Sequence, residues 1–239
     1  MSVDAPFQGF PAEGLAFLSE LQTHNEREWF NAHKTVYQRA LLEPGQRFVA
    51  ALGQRLQTLS PGLQYDTRTN GSGSMLRIYR DVRFSKDKSP YNSHMRFFFW
   101  EGSAKKMQNP GFYIWFDGQG GAVYAGMWRL DKALLATFRA AIADDRRGPE
   151  LEALIYEVQS AGPYTVGGSH YKRVPRGYPS DHPRAELLRY NGLHAAAPDL
   201  SPEQLTSPEL VEVCLAHCQG MAPIVRWLVD LQARSLAES

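Results

Sequence analysis

The sequence contains little cysteine and no long apolar run. Its 239 residues include only two cysteines, Cys214 and Cys218, too few for the disulfide framework of a small secreted domain. Their spacing of four residues places both on one face of a predicted helix, where we expect reduced thiols. No stretch approaches the roughly 20 apolar residues of a membrane-spanning helix, and the N-terminal residues lack a secretory signal pattern. We therefore expect a soluble, cytoplasmic protein that has no membrane partner.

Common catalytic and cofactor motifs are absent as well. The tripeptide G-S-G at 71–73 is not followed by the Gly-Lys-Ser/Thr of a P-loop, and neither G-x-S-x-G nor H-E-x-x-H occurs. A structural zinc site needs four ligands, and the two cysteines with His217 have no second pair of ligands. Asp144 and Asp145 are adjacent on a predicted helix and therefore point in different directions. The sequence predicts no metal site and identifies no cofactor.

The composition is that of a globular protein with a sizeable core. Hydrophobic residues make up 43% and aromatic residues 12% of the chain, and 26 basic residues nearly balance 25 acidic ones. This near-neutral charge argues against a general nucleic-acid coat protein, which is basic throughout. Because no linker or internal repeat divides the chain, we predict a single domain over residues 1–239.

Helical patterns come first in the chain and strand patterns follow. Apolar residues recur at helical spacing to about residue 60, with helix starts predicted at Pro11, Asn25 (paired with Glu28) and Pro44. Short segments rich in aromatic and β-branched residues then predict strands at 75–79, 95–100, 111–116 and 122–128. The links between the later strands are too short for helical crossovers, and D-G-Q-G-G is a hairpin signal, so the predicted sheet is antiparallel.

Helical patterns return after these strands. A loop rich in glycine and proline is predicted at 162–183, and helix starts are predicted at Asp131, Gly148-Pro149, Ser201-Pro202, Ser207-Pro208 and Pro223. The order of elements predicts an α+β fold in which N-terminal and C-terminal helices pack on a central antiparallel sheet.

Positive charge is concentrated between Leu76 and Arg96, which we call the basic segment. Six cations against Asp81 and Asp87 give this segment a net charge of +4, whereas the whole chain has +1. Concentrated charge of one sign attracts the opposite sign. The segment therefore predicts an anionic small-molecule partner, and a phosphorylated one fits this pattern.

The residues of the basic segment that we predict to bind this ligand are Arg77, Tyr79, Arg80, Arg83, Lys86, Lys88 and Tyr91. The three arginines would clamp the anion, because a planar guanidinium donates two parallel hydrogen bonds to a phosphate or carboxylate. The lysines would add positive field, and the tyrosines would stack on a ring or donate hydrogen bonds. The alternative interpretation is an exposed hairpin whose arginines pair with Asp81, Asp87 and acidic helices.

A second basic stretch strengthens the prediction of an anion site. Residues 165–184 contain four cations and one aspartate. We predict that this stretch and the basic segment form the two opposite walls of one cleft. On the wall formed by this stretch, the lining residues would be Lys172, Arg173 and Arg176.

His94 and Asp81 are the candidate groups for proton transfer. Imidazole titrates near neutral pH, and neighbouring arginines lower its pKa by like-charge repulsion, which favours a neutral base. Such a base suits phosphoester hydrolysis or phosphoryl transfer. The alternative is a structural histidine that only makes hydrogen bonds.

Three motifs carry a family resemblance. They are H-N-E-R-E-W-F-N-A-H-K-T-V-Y at 24–37, R-I-Y-R-D-V-R-F-S-K-D-K-S-P-Y-N at 77–92 and G-F-Y-I-W-F at 111–116. The chain resembles, from about Phe7 to Leu231, the uncharacterised family called domain of unknown function 2461. The resemblance implies a single domain of this length and implies no activity, cofactor or catalytic residue. Asn92 departs from the family pattern, in which lysine is frequent.

Three functions fit these patterns. The first is a cationic cleft that binds a phosphate-bearing or other anionic ligand. The second is a phosphoesterase or phosphotransferase that uses the same cleft. The third, which the near-neutral charge favours less, is a module that docks single-stranded nucleic acid or an acidic protein tail.

Overall fold

In the computed structural model, which describes residues 5–237, the chain from residue 12 to 59 is mostly helical. Its elements are α1 (Ala12–Thr23), α2 (Arg27–Ala32), α3 (Lys34–Tyr37), a π-helical turn (Gln38–Leu42) and α4 (Glu43–Leu59). Pro11 is the N-cap of α1, as its position predicts. Pro44 lies in the first turn of α4, where a missing N–H costs no intrahelical bond, but the chain is already helical before it.

The predicted helix start at Asn25 is wrong. α2 begins at Arg27 with Glu26 as its N-cap, and the helix is interrupted at His33 before α3. The physical reason is that the Asn25 side chain bonds to a distant backbone segment, at Tyr91, and not to the start of its own helix.

A six-stranded antiparallel sheet follows, and it confirms the predicted α+β class. The strands are β1 (Leu63–Gln64), β2 (Met95–Glu101), β3 (Gly111–Phe116), β4 (Gly121–Met127), β5 (Thr165–Ser169) and β6 (Tyr190–Ala196). Their order is β1-β2-β3-β4-β6-β5. The D-G-Q-G-G hairpin joins β3 to β4 as predicted, and the Asp117 N–H donates to the Gly120 carbonyl at 2.8 Å.

The predicted strand at 75–79 is wrong. Only two isolated bridges form there, Met75 with Phe97 and Tyr79 with Tyr91. No continuous ladder of backbone bonds forms in this stretch. Two side chains bond to its carbonyls instead: the Asn92 amide donates to Ile78, and the Arg96 guanidinium donates to Arg77.

Three strands were missing from the prediction, namely the two-residue β1 and the longer β5 and β6. β5 lies inside the predicted loop at 162–183, and β6 follows it; both pair antiparallel, with Gly167 and Gly126 on either side of His194. The sequence T-V-G-G-S has no alternation of apolar and polar residues, so only its partner strand defines it.

The C-terminal helices are α5 (Lys132–Ala143), α6 (Arg147–Ala161), α7 (Ala185–Leu188), α8 (Pro202–Thr206) and α9 (Leu210–Ala237). The predicted caps at Asp131 and Ser201 are confirmed. The predicted start at Pro223 is wrong, because this proline lies inside α9. Buried apolar residues on both sides of it, including Met221 and Ile224, hold the helix together despite the missing N–H.

The chain forms two compact units. The first unit holds the chain up to Phe99, Tyr113–Val123 and Asp199–His217. The second unit holds Trp100–Phe112, Tyr124–Pro198 and the chain from Cys218 onward. A single domain over residues 1–239 stays a prediction.

Each unit has its own apolar packing between helices and strands. In the first unit, Phe48 of α4 packs edge-on against Phe97 of β2 with ring centroids 5.1 Å apart. In the second unit, Ile224 of α9 reaches β4, where a β-carbon at Gly126 would lie 3.2 Å from it. Cys214 and Cys218 are both buried and form no disulfide, and burial raises the pKa of Cys214 to about 12. No helix within residues 5–237 is long and apolar enough to cross a membrane.

Replacing Asp131 by alanine tests the cap of α5. The Asp131 carboxylate accepts a hydrogen bond from the Leu134 N–H at 3.0 Å. We expect Asp131→Ala to lower the free energy of unfolding by about 1 kcal/mol, measured by urea denaturation. The exposed Asp181, which forms no ion pair among residues 5–237, is the control. An equal loss in Asp181→Ala would contradict the assignment of the cap.

Candidate functional site

The first unit contains a hollow of about 380 Å³ with a polar lining, which we call the Arg80 hollow. Its lining residues are Gln22, Asn25, Arg80, Asp87, Ser89, Tyr91, Asn92, Ser93 and His94. Seven of the nine belong to the basic segment. The hollow therefore lies where the charge pattern of the sequence indicated a site.

Asn25, between α1 and α2, anchors the basic segment. Its side-chain amide donates to the Tyr91 carbonyl and its side-chain oxygen accepts from the Tyr91 N–H, both at 3.0 Å. The Tyr91 ring is buried and stacks on Phe30 of α2, with centroids 4.1 Å apart and planes 13° apart. Residue 91 is thus fixed through both its backbone and its ring.

Backbone bonds within the segment bring Arg80 to the hollow. The Asn92 N–H and its side-chain amide both donate to the Ile78 carbonyl, at 2.7 and 3.0 Å. Closer to the turn, the Arg80 N–H donates to the Pro90 carbonyl at 2.9 Å. The chain from 78 to 92 therefore folds back on itself, and residues 81–89 form a loop beside the hollow.

Asp87 holds the guanidinium of Arg80 in place. Arg80 Nη1 donates to Asp87 Oδ2 at 2.5 Å, and the Arg80 side chain is 25% exposed. Asp87 Oδ1 accepts from the Ser89 N–H at 2.9 Å and from the Ser89 hydroxyl at 2.6 Å. Hydrogen bonds from Ser89 and then from Arg80 keep the pKa of Asp87 well below its usual range, so the pair stays charged. The other guanidinium N–H groups of Arg80 have no acceptor among residues 5–237.

His94 lies at the same hollow in its neutral form. Its ring is half-buried and meets Trp115 edge-on, with centroids 6.0 Å apart. Burial first, and then the charges of Arg96 and Arg80, lower the pKa of His94, although Asp117 opposes them. The imidazole is therefore uncharged at neutral pH.

Three side chains at the hollow have no hydrogen-bond partner in the described part of the chain: Gln22, Ser93 and His94. Together with the remaining N–H groups of Arg80, they supply donors and acceptors to whatever occupies the hollow. Such a set of uncommitted polar groups around one concavity is typical of a ligand site.

Other predicted site residues of the basic segment do not line the hollow. Arg83 is 77% exposed and binds Asp81 through Nε and Nη2, at 2.9 and 2.6 Å. The hydrogen bonds from Arg83 lower the pKa of Asp81, the second candidate for proton transfer, to about 2. Arg80 and Arg83 therefore each have an aspartate partner, as the alternative interpretation of the segment predicts.

The remaining members of that set lie on the surface. Arg77, Lys86 and Lys88 are exposed, and the Lys88 amine donates to the Val82 carbonyl at 3.0 Å. Tyr79 is 55% exposed, and its ring centroid lies 5.4 Å from that of Tyr91. Of the predicted ligand-binding residues, the structure thus brings only Arg80 and Tyr91 to the hollow, with the candidate base His94.

The second basic stretch belongs to the second unit. Lys172, Arg173 and Arg176 are exposed residues that follow β5. Arg184 is buried, and its Nε donates to the Ile142 carbonyl at 2.6 Å. A cleft with two cationic walls stays a prediction. Within residues 5–237 no group of three or more His, Cys, Asp or Glu side chains could hold a metal ion.

The predicted site residues did not include six of the nine lining residues: Gln22, Asn25, Asp87, Ser89, Asn92 and Ser93. Asn25 belongs to the motif at 24–37, but it was interpreted only as a helix cap. No local signal distinguished the two roles, because the backbone that Asn25 binds belongs to Tyr91, 66 residues further along the chain.

Comparison with known families identifies the chain. A family model described as "Conserved hypothetical protein (DUF2461)" matches residues 13–227. The chain belongs to this family. The resemblance carried by the three motifs is therefore confirmed, and the DUF2461 match includes every residue that lines the Arg80 hollow. A comparison with curated proteins found no match.

Replacing Asn25 tests the anchor of the basic segment. Asn25→Ala leaves the N–H and the carbonyl of Tyr91 without their partners, and we expect a loss of about 2 kcal/mol in unfolding free energy. Urea denaturation measures it. Asn70 is the control, because this exposed side chain bonds only to Ser72, two residues away. A loss in Asn25→Ala no larger than that in Asn70→Ala would show that Asn25 is not an anchor.

Proposed function

We propose that the protein binds a phosphate-bearing or carboxylate small molecule in the Arg80 hollow. The observation that carries this proposal is a partly buried guanidinium, fixed by Asp87, beside polar side chains that have no hydrogen-bond partner within residues 5–237. The two cysteines are buried and form no disulfide, which accords with a reducing compartment, and we propose the cytoplasm as the location.

The geometry of the Arg80–Asp87 pair supports an oxyanion as the ligand. The bond to Asp87 uses Nη1. The parallel Nε–H and Nη2–H groups on the adjacent edge of the guanidinium remain available, and this edge matches two oxygens of a phosphate or a carboxylate. Asp87 thus orients Arg80 without occupying the edge that binds the anion.

The size and surroundings of the hollow support a small ligand. Its volume of about 380 Å³ lies near the lower end of the roughly 300–1,000 Å³ typical of small-molecule sites. Ser93 and Gln22 line it and offer further hydrogen bonds to the anion. The unpaired cations of the basic segment raise the local concentration of anions.

One observation favours a phosphoesterase or phosphotransferase as the second candidate. His94 is neutral and lines the hollow with Arg80, so a water or hydroxyl bound there would have a base beside an anion-stabilising group. Hydrolysis of p-nitrophenyl phosphate, with and without divalent cations, measures this. Activity that is lost in His94→Ala would support the enzyme, and equal rates in both proteins would contradict it.

Replacing Arg80 tests the binding proposal. We expect Arg80→Gln to weaken the affinity for inorganic phosphate by at least about tenfold, because it removes charge-assisted hydrogen bonds. Isothermal titration calorimetry at low ionic strength measures the affinity. Arg83→Gln is the matched control, and we expect a change within about twofold, since that exposed arginine lies outside the hollow. Equal losses in the two variants would contradict a role specific to Arg80.

The pH dependence of binding tests whether His94 faces the ligand. Sulfate is the probe, because it does not titrate between about pH 5 and 8, where histidine does. A bound anion favours the imidazolium, so affinity should rise about fivefold as the pH falls through the lowered pKa of His94, and should stay level at higher pH, where the imidazole is neutral with and without the anion. The same rise in His94→Asn would show that another group is responsible.

A further inference from the structure

The first unit exposes two large apolar side chains, and both belong to the basic segment. Among the described residues of that unit, these are Tyr79, 55% exposed, and Phe84, 95% exposed. The other large apolar side chains that are exposed between residues 5 and 237 lie in the second unit. An aromatic ring that lies almost wholly in water among several cations presents a flat face on which a base can stack.

The turn that presents Phe84 is ordered by its own bonds. Asp81 Oδ1 accepts from the Arg83 N–H at 3.2 Å, and the Lys88 amine donates to the Val82 carbonyl at 3.0 Å. The Arg83 guanidinium lies 5.9 Å from the centroid of the Phe84 ring. These bonds order the backbone of the turn, and the Phe84 ring lies in solvent with a cation beside it.

Tyr79 is held in place by the packing of its ring against two other rings. Its backbone bridges to Tyr91, and its ring packs against the rings of Tyr91 and Phe30 with centroids 5.4 and 5.9 Å away. Packing on one side leaves the rest of the ring in solvent. Tyr91, which the sequence predicted to stack on a ligand, is only 4% exposed and stacks on Phe30.

Four cations of the basic segment have no carboxylate partner within residues 5–237: Arg77, Lys86, Lys88 and Arg96. None of the four lines the Arg80 hollow. A ligand confined to the hollow would leave these charges unused. A polyanion that crosses the hollow and continues over the segment would reach them.

We infer that the basic segment binds single-stranded nucleic acid, with one phosphate in the Arg80 hollow and neighbouring bases on Tyr79 and Phe84. This inference rests on the proposed anion site and extends its ligand from a small molecule to one phosphate of a nucleic-acid strand. Proteins bind single strands without reading their sequence by stacking the bases on aromatic rings in a positively charged groove. An acidic peptide would use the cations but not the flat rings, and a flat bilayer would not fill the hollow. In a duplex the bases stack on each other and cannot reach the rings.

Fluorescence anisotropy with a fluorescein-labelled oligothymidylate tests the inference. We expect Phe84→Ala to weaken binding about tenfold, as loss of one stacked base does. Tyr156→Ala is the matched control, because Tyr156 is 73% exposed but lies in the second unit, and its affinity should equal that of the unaltered protein. With four phosphates neutralised, the logarithm of the affinity should fall with the logarithm of salt concentration with a slope of about −3.

A parallel titration of the unaltered protein with sulfate separates this inference from the function on which it rests. Sulfate binding without oligothymidylate binding would overturn the inference and leave the small-anion function standing. Absence of both would overturn the two together. Equal oligothymidylate affinity in Phe84→Ala, equal affinity for a duplex, or Phe84-dependent binding to phosphatidylserine vesicles in place of the oligonucleotide would each overturn it. Because Phe84 is almost fully exposed, an unchanged urea midpoint in Phe84→Ala confirms that the variant is folded.

Discussion

The ion pair between Arg80 and Asp87 is the interaction on which the candidate site depends. A guanidinium that is only 25% exposed needs a fixed negative partner, and Asp87 provides one at 2.5 Å. Ser89 donates two hydrogen bonds to the other oxygen of that carboxylate, so the aspartate stays ionised and its orientation stays fixed. The pair therefore neutralises one edge of Arg80 and leaves the edge with Nε and Nη2 for an oxyanion. Without Asp87, the hollow would have more net positive charge, but the Arg80 side chain would sample many rotamers.

The irregular backbone of the basic segment makes this arrangement possible. In a regular strand, alternate side chains point to opposite faces, and Arg80, Asp87 and His94 would not share one hollow. Instead, the Asn25 side chain donates to and accepts from the backbone of Tyr91, and the Asn92 side chain adds a second hydrogen bond to the Ile78 carbonyl. The backbone is thus satisfied without a sheet, and its side chains can gather on one side.

The sequence predicted the fold class, and its charge pattern pointed to the segment that lines the Arg80 hollow, but it did not predict the detail of either. Short links and a glycine-rich hairpin are local signals, so the antiparallel sheet followed from them. Strand β5 and the continuous helix through Pro223 depend on distant partners, which no local pattern reveals. Charge clustering located the hollow, but it could not assign partners: Arg83 pairs with Asp81 two residues away, while Arg80 pairs with Asp87 seven residues away. Asn25 was missed because its partner lies 66 residues along the chain.

The most direct test of this account is a nuclear magnetic resonance titration with sulfate that follows the Nε–Hε signals of the arginines and the ring signals of the histidines. If the free edge of Arg80 binds the anion, the Arg80 and His94 signals move together and saturate at one affinity, while the Arg83 signal stays in place. Arginine signals that all shift in proportion to sulfate without saturation would mean that the protein has a positive surface and no anion site at Arg80.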